Sequence, residues 1–457
     1  MEKYLQTVLE QIRCKKAHEL IRQEMEVHLE EQICDYMAEG MTREEATEAA
    51  VKDMGDPVET GVELDRIHRP KIEWQIVILV GIIVTFGLVL QYFLLKNVAT
   101  IEGFGMDDFR VVNIQNSIWY TTLGFLVMIL VYRLDYTWIG RYAKWIMGCL
   151  GIVMLVLSYV CWVVTDNVSS YLMLTHGFGI PAGFILFLMI PIYAGIMYQY
   201  RGGGYRELLY SCLWMGIPYF CGKSCNSLTL SMAVIVMMGV LLTIAVCKGW
   251  FCVNKKGVCL AFWSLVIVMP IVMFFVGAKF SPYWSYKLEQ LYHYIRNDPE
   301  WNYMQTSAAG ILLHSRLLGS SGVDVVHVLD SSLNMYILPS IAAKFGILPM
   351  LLVIGLLCCF VGKIFQIAHK QKNQLGMMMG YACGVVFFIH MLISVVYGLG
   401  LIPLTCGVLP FFAINRENTI LCFILTGWIL SIYRYKNIVS EHAGKSARYK
   451  LWIEKVK

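Results

Sequence analysis

Apolar positions follow two patterns along this chain. Between Tyr4 and Met37 they recur at helical spacing, as Leu5, Val8, Leu9, Ile12, Leu20, Ile21, Met25, Leu29 and Ile33. Charged residues fill the other faces, as expected of an amphipathic helix. Gly40 breaks that pattern. In "MTREEATEAAVKDMG", Thr42 can cap a new helix and Glu45, three residues on, can close a capping box. Gly55 stops this helix, Asp56-Pro57 turns the chain, and a short helix runs to about His68. The pattern predicts a compact helical hairpin over residues 1–70, with no cluster that resembles a site. His18 and His28 read as surface residues rather than ligands.

The second pattern is a series of long apolar runs. A bilayer core takes roughly twenty apolar residues per helix. Ten runs qualify as candidate spans, centred near Gly81, Val127, Met154, Met189, Leu213, Met237, Ile267, Gly355, Val385 and Phe423. The fifth, "ELLYSCLWMGIPYFCGK", is short and contains Pro218. Basic residues set the direction. Arg133, Arg141 and Lys144; Arg201 and Arg206; Lys248, Lys255 and Lys256; and Lys363, Lys370 and Lys372 all fall in connections on one side. Arg434, Lys436, Lys445, Arg448 and Lys450 in the tail join them. The positive-inside rule then puts both termini in the cytoplasm, which an even number of spans requires. The expected fold class is an all-α polytopic membrane protein with ten transmembrane helices. A small cytoplasmic helical domain precedes a membrane domain over 73–437, and a basic cytoplasmic tail follows over 438–457.

Composition agrees with this picture. Hydrophobic residues make up 58% of the chain and charged residues 15%, which excludes an ordinary soluble protein. About half of the 32 acidic residues lie in the first seventy positions, setting that segment apart. The N-terminus "MEKYLQTVLEQIRCKKAHEL" is charged and amphipathic, so no cleavable signal peptide is expected. The cysteines are scattered and lie mostly in apolar runs. The closest pair near a helix end, Cys221 and Cys225, reads as buried small hydrophobes rather than as a disulfide or metal pair. Nothing in the charge pattern points to nucleic acid.

Chemistry gathers in one long connection, from about Lys279 to Asp330, on the side opposite the basic loops. Loops of this length in compact proteins are usually functional. It is rich in Tyr and Trp: "SPYWSYKLEQLYHYIRNDPEWNYMQTSAAG". Two readings stand. The loop forms a site at the membrane surface for a lipid-linked substrate, or an interfacial helix with an aromatic belt and no ligand. At the end of the loop, "HVLDSSLNMYILPSIAAKFG" carries Asp330 at the mouth of the eighth span and Asn334 four residues further in. Asp330 is either a functional carboxylate or, with Ser331 and Ser332, a cap for that span. Asp298 and Asp324 are weaker candidates, and His293, His314 and His327 show no ligand spacing.

Two stretches carry a family resemblance. The first is "GLGLIPLTCGVLPFFAINRENTILCFILTGWILSIYR", between the last two spans. Gly400, Leu401, Pro403, Thr405, Gly407, Leu409, Pro410 and Phe411 match a Gly-Leu-Leu-Pro-Val-Thr-Gly-like run followed by Leu-Pro-Phe. The second lies in the long loop, where Lys287, Asp298-Pro299, Tyr303 and the Gly319–Gly322 turn follow a pattern of Arg, Asp-Pro, Tyr and a Gly-rich turn. Over about residues 73 to 437 the chain resembles the shape, elongation, division and sporulation (SEDS) family typified by FtsW, RodA and SpoVE. Separately, "GMTREEATEAAVKDMGDPVE" resembles the small helical domain in front of some bacterial permeases, which implies a regulatory or docking module.

The SEDS resemblance implies a multi-pass protein of the bacterial plasma membrane that polymerises lipid II into peptidoglycan for division, elongation or sporulation. It implies a transpeptidase-type penicillin-binding protein as partner. It leaves a divalent cation open as a cofactor, with no ligand set visible in the sequence. An older proposal made such proteins lipid II flippases, and few ionisable residues inside the spans support that here; Glu207 and His390 are the main exceptions.

In this chemistry an acceptor hydroxyl needs a base, and a departing pyrophosphate needs cations or oriented donors. The resemblance sets Asn334 at the family's catalytic Asp and Asp330 at a nearby Glu. An amide takes no proton at neutral pH. On a helix Asp330 stands one turn outside Asn334, with Cβ atoms about 6 Å apart, and is the remaining candidate base. Asn226 likewise replaces an acid of the family before the sixth span. Lys287 would bind phosphate as a point charge, without the bidentate geometry of Arg. Asp298 and Tyr303 complete the implied substrate-binding set. In "AINRENT" Arg416 and Glu417 are charges foreign to the family turn. They either pair with each other, or Arg416 faces a pyrophosphate. The sequence thus leaves three readings: a divergent glycosyltransferase, a binding or regulatory relative that has lost its base, and, ranked last, a translocase.

Overall fold

The computed structural model describes residues 1–95, 114–165, 171–175, 178–225, 228–280, 282–296, 298, 303–323, 336–401, 408–413 and 416–436. The chain forms two compact units. One is built on Met1–Glu73, joined by Gln371–Gly376 and the residues from Ile432; the other on Trp74–Lys370 and Met377–Ser431.

The first unit contains α1 (Glu2–Glu10), α2 (His18–Ala38), α3 (Arg43–Asp53) and α4 (Pro57–His68). Leu5 and Val8 of α1, the α2 stripe Ile21, Met25, Leu29 and Ile33, and Ala46 and Ala50 of α3 form its core. Each large apolar side chain buried there stabilises the unit by about 1.5–3 kcal/mol. Helix α4 approaches α1 closely at Gly61, where an added Cβ would sit 2.8 Å from Val8 O.

The expected hairpin is therefore a four-helix unit. The stripe that ends at Ile12 would continue at positions 15 and 16, both lysines, so the helix breaks. A short 3-10 turn, Lys15–Ala17, bridges the gap. The His18 ring is half-buried, and its Nε2 donates to Ile12 O at 2.8 Å, so this histidine closes the turn. His28 is exposed.

The capping box forms as expected. Glu45 N donates to Thr42 Oγ1 at 3.4 Å and Thr42 N to Glu45 Oε2 at 3.0 Å. The hydrogen bonds from Thr42 hold the Glu45 carboxyl below its ordinary value. The capping contribution is thus present above that ordinary value and lost as pH falls through the depressed one. Replacing Thr42 with Ala is expected to destabilise α3 by about 1 kcal/mol. Amide exchange of Arg43–Asp53 in the full chain reads this directly, and unchanged protection would contradict it.

The second unit contains α5 (Trp74–Leu95), α6 (Ile114–Arg133), α7 (Tyr136–Thr165), β1 (Tyr171–Thr175), β2 (Phe178–Pro181), α8 (Ala182–Gln199), α9 (Tyr205–Trp214), α10 (Gly216–Ser224), α11 (Leu228–Cys247), α12 (Lys255–Phe280), α13 (Pro282–Ile295), α14 (Tyr303–His314), α15 (Ile337–Phe345) and α16 (Ile347–His369). Helices α17 (Gln374–Gly398) and α18 (Arg416–Arg434) complete it, their ends at Gln374–Gly376 and from Ile432 belonging to the first unit. Each of the ten expected span centres falls within a helix. Among the described residues six helices are long and apolar enough to cross a membrane: α5, α7, α8, α11, α16 and α17. Their outward faces carry residues such as Ile78, Ile152 and Leu352, each about half or more exposed. Such faces are unfavourable in water and favourable in hydrocarbon.

Two departures from the expected pattern have local causes. The fifth apolar run is split between α9 and α10 at Met215. Pro218 has no N–H and its ring crowds the carbonyl four residues back, that of Trp214, where α9 ends. The other departure is an antiparallel hairpin between α7 and α8, which pairs Tyr171 with Pro181 and Leu172 with Ile180. It is the one strand pair among the described residues of an otherwise helical fold.

The core centres on α8, buried almost throughout from Ile185 to Met197. A second core is aromatic. The Phe387 ring on α17 stacks on Phe411 at 5.9 Å, and Phe360 and Phe423 meet Phe411 edge-on at 5.5 and 5.7 Å. Phe411 holds a left-handed backbone, φ 63°. That conformation is unfavourable for a bulky residue and persists where surrounding packing enforces it.

Candidate functional site

Two groups of residues gather around the end of α17 and the start of α18. The first brackets the segment that carries Asp330 and Asn334. Both residues lie outside the described residues, but the flanks of their segment do not. Tyr336 packs with Ala308, Ile311, Ala343 and Tyr397 in a buried cluster, and Val323 lies against it. The Tyr336 and Tyr397 rings are 4.6 Å apart. The chain leading into the segment is fixed by main-chain hydrogen bonds. Gly319 N donates to Phe345 O at 2.9 Å, Ser321 N to Ala343 O at 2.8 Å, and Ile347 N to Arg316 O at 2.9 Å. Gly346, the last residue of "AKFG", has φ 105° and lies against the Leu317–Leu318 backbone.

The long connection also reaches this place. It carries α13 and α14 rather than irregular chain. The Tyr294 hydroxyl of α13 donates to Gly400 O at 3.2 Å and to Leu401 O. The two stretches that resembled the same family are thereby tied together, although they stand about a hundred residues apart. Asp298 folds back on α13. Its N–H donates to His293 O at 3.0 Å, and its carboxylate lies 2.9 Å from His293 Nδ1. Asp298 thus closes the end of the helix. Lys287 lies on α13 and Tyr303 is the first residue of α14; neither side chain is among those described.

The second group surrounds Arg416, in the first turn of α18. Its Nη2 and Nε donate to Glu417 Oε1 at 2.7 and 3.1 Å, so the two charges do pair. The pair is largely buried, and the guanidinium also lies 6.0 Å from the Tyr120 ring centroid. Beside it a small polar niche is lined by Gln91, Ser117, Tyr120, Thr121, Ala413 and Thr419. Gln91 is 4% exposed and donates from Nε2 to Phe412 O at 3.0 Å. Its Oε1 accepts no hydrogen bond. A buried acceptor without a donor is unfavourable, so the niche is suited to a hydroxyl, an amide N–H or a water.

Sequence reading passed over this niche. Its signal was faint: Gln91 is a lone amide inside the apolar run of α5, and its partner is 321 positions away. Of the two ionisable exceptions in the spans, Glu207 sits at a helix start, where Gly204 N donates to its Oε2 at 2.7 Å. His390 is buried in α17 with its ring 4.1 Å from that of Phe187. Its Nε2 and the Ser394 Oγ one turn on have no hydrogen-bond partner. Cys221 and Cys225 are buried free thiols. Among the described residues no group of three or more His, Cys, Asp or Glu is arranged to hold a metal ion. Asn226, Pro403, Thr405 and Gly407 lie outside the described residues.

Comparison with known proteins is consistent in direction. A family model described as "Cell cycle protein", FtsW/RodA/SpoVE, matches residues 73–438. The chain is 31% identical over 120 residues to the "Probable peptidoglycan glycosyltransferase FtsW" of Enterococcus hirae. That match covers 26% of this chain and 30% of the relative, less than a third of its length. Among solved structures, a chain from a study of "polymerization and crosslinking by a peptidoglycan synthase complex" superposes with a TM-score of 0.60 at 17% identity, covering 79% of this chain and 98% of that one. The Rod shape determining protein RodA of Thermus thermophilus superposes with a TM-score of 0.52 at 13% identity, covering 80% and 97%. At such identities the likeness establishes the fold alone.

Proposed function

The chain belongs to the FtsW/RodA/SpoVE family of cell cycle proteins, and from that premise we propose that it serves bacterial cell-wall synthesis by polymerising lipid II at the outer face of the plasma membrane. The observation that carries this reading is the family match across the whole membrane unit, residues 73–438. The name of the relative matched over 120 residues, a probable peptidoglycan glycosyltransferase, supports the same chemistry. The chain then crosses the membrane ten times with both termini in the cytoplasm, a reading that the distribution of basic connections supports. The end of α17 and the start of α18 then face outward. A transpeptidase-type penicillin-binding protein crosslinks the product. Residues 1–70 form a cytoplasmic regulatory or docking module.

Asp330 takes the proton from the attacking sugar hydroxyl, in place of the carboxylate that Asn334 lacks. Arg416 and Lys287 stabilise the charge that grows on the departing pyrophosphate. Glu417 holds the Arg416 fork in position until the phosphate arrives. Asp298 and Tyr303 line the approach along the long connection.

A second reading has its own motive. Asn226 and Asn334 both stand where the family has acids, so a relative that binds lipid II without polymerising it fits the sequence equally well at those positions. Binding separates either reading from no substrate role at all. Native mass spectrometry of the full-length protein should retain lipid II in preference to undecaprenyl phosphate. Replacing Arg416 with Ala should weaken retention roughly ten- to hundredfold, the loss of one charge-assisted hydrogen-bond pair. Equal retention of both lipids by the wild type would rule the reading out.

A further inference from the structure

Helix α2 has a second face that the described residues of its own unit do not cover. The buried stripe Ile21, Met25, Leu29 and Ile33 faces the core. On the other side Leu20, Glu24, Val27 and Glu31 line a shallow groove with Gln23 and His28. These four positions repeat at seven-residue spacing, which makes one continuous seam. Val27 is 58% exposed. The helix carries six acidic residues, Glu19, Glu24, Glu26, Glu30, Glu31 and Asp35, against the single cation Arg22.

The described chain stops close to this groove. Tyr435 follows α18 directly, and the Lys16 ammonium lies 4.8 Å from the centre of its ring. Lys16 is four residues ahead of Leu20, where the groove begins. Residues 437–457 follow in the sequence. They carry five cations, Lys445, Arg448, Lys450, Lys455 and Lys457, against Glu441 and Glu454. Tyr449, Trp452, Ile453 and Val456 recur at helical spacing, i, i+3, i+4 and i+7. On such a wheel Arg448 and Lys455 flank the apolar stripe on one side, and Lys450 and Lys457 on the other. As a helix these 21 residues would span about 32 Å, the same as α2.

We propose that the basic segment 445–457 docks on the acidic groove of α2 in the same chain, setting Trp452 and Ile453 against Leu20 and Val27 and its cations against Glu24 and Glu31. Helix-in-groove recognition needs this combination of an apolar stripe, flanking charges of opposite sign and a short tether. The tether begins at Tyr435, beside the groove. Docking couples the end of the last membrane helix to the N-terminal unit. It also hides a segment that would otherwise be drawn to anionic lipid.

The test uses the full-length protein in nanodiscs of neutral lipid, with benzoylphenylalanine in place of Val27. Irradiation should give a product of monomer mass whose cross-linked peptide maps to 445–457. The double substitution Glu24→Lys/Glu31→Lys should cut the yield about tenfold. Adding Arg448→Glu/Lys450→Glu should restore it, which shows that the loss is one of charge and not of folding. The same probe at Trp452 should map back to Leu20–Glu31. Adducts with lipid, a product of dimer mass, or no product within 445–457 would each overturn the proposal. The first would assign the segment to the membrane surface, and the second would assign the groove to another copy.

Discussion

Gly346→Ala is expected to destabilise the membrane unit by at least about 3 kcal/mol. Two causes act together. Gly346 has φ 105° and ψ 172°, a region that is essentially confined to glycine and costs other residues about 1–3 kcal/mol. The added Cβ would also lie 2.6 Å from Leu317 O and 2.7 Å from Leu318 Cα. Both are backbone atoms, so no rotamer change relieves the overlap. The Leu317–Leu318 chain would have to move, and with it the main-chain hydrogen bonds from Ile347 to Arg316 and from Leu348 to Leu317. Those bonds fix the path into the segment that carries Asp330, so activity should fall along with stability. Gly355→Ala is the control. It lies mid-helix in α16 with nothing within 4 Å of an added Cβ, and should be neutral or slightly stabilising. Thermal unfolding in detergent compares the two; equal midpoints would contradict the packing argument.

Asp330→Ala is expected to lower lipid II polymerisation by at least about a hundredfold, the ordinary worth of a general base. Its stability effect should be small, since a lost N-cap costs about 1 kcal/mol. That contrast distinguishes the two roles open to this residue. A cap would shift the melting midpoint and leave turnover in place; a base would do the reverse. Asn334→Ala should change turnover little, because an amide neither takes nor gives the proton. Asn334→Asp places a carboxylate at the position proposed to match the family's catalytic acid and should raise turnover, or create it. Comparable loss of turnover in Asp330→Ala and Asn334→Ala would mean that the segment as a whole, and not the carboxylate, is what matters.

What could be read from the sequence was what local rules govern. Apolar runs located the helices, Thr42 and Glu45 formed their capping box, and Pro218 marked a weak span that is split in the structure. What escaped reading depended on contacts far apart in the chain. Nothing local to Gln91 says that it will meet Phe412, or that Tyr294 will donate to Gly400. The left-handed Phe411, in the turn before α18, is similarly silent, because its conformation is held by Phe360, Phe387 and Phe423 from three helices. The break before α2 has a local mark, the two lysines at positions 15 and 16 where the apolar stripe would continue. Arg416 and Glu417 could be read as a pair or as a phosphate site. The structure pairs them, and it sets them beside a niche whose acceptor lacks a donor.

The most direct test is polymerisation itself. Purified full-length protein, combined with a transpeptidase-type penicillin-binding protein, is given labelled lipid II, and the products are separated by length. Glycan strands are expected from the wild type and at least about a hundredfold fewer from Asp330→Ala. No strands from the wild type, while an active family member polymerises lipid II under the same conditions, would contradict the proposed activity; activity gained by Asn334→Asp in that case would assign the chain to the binding relatives that have lost their base.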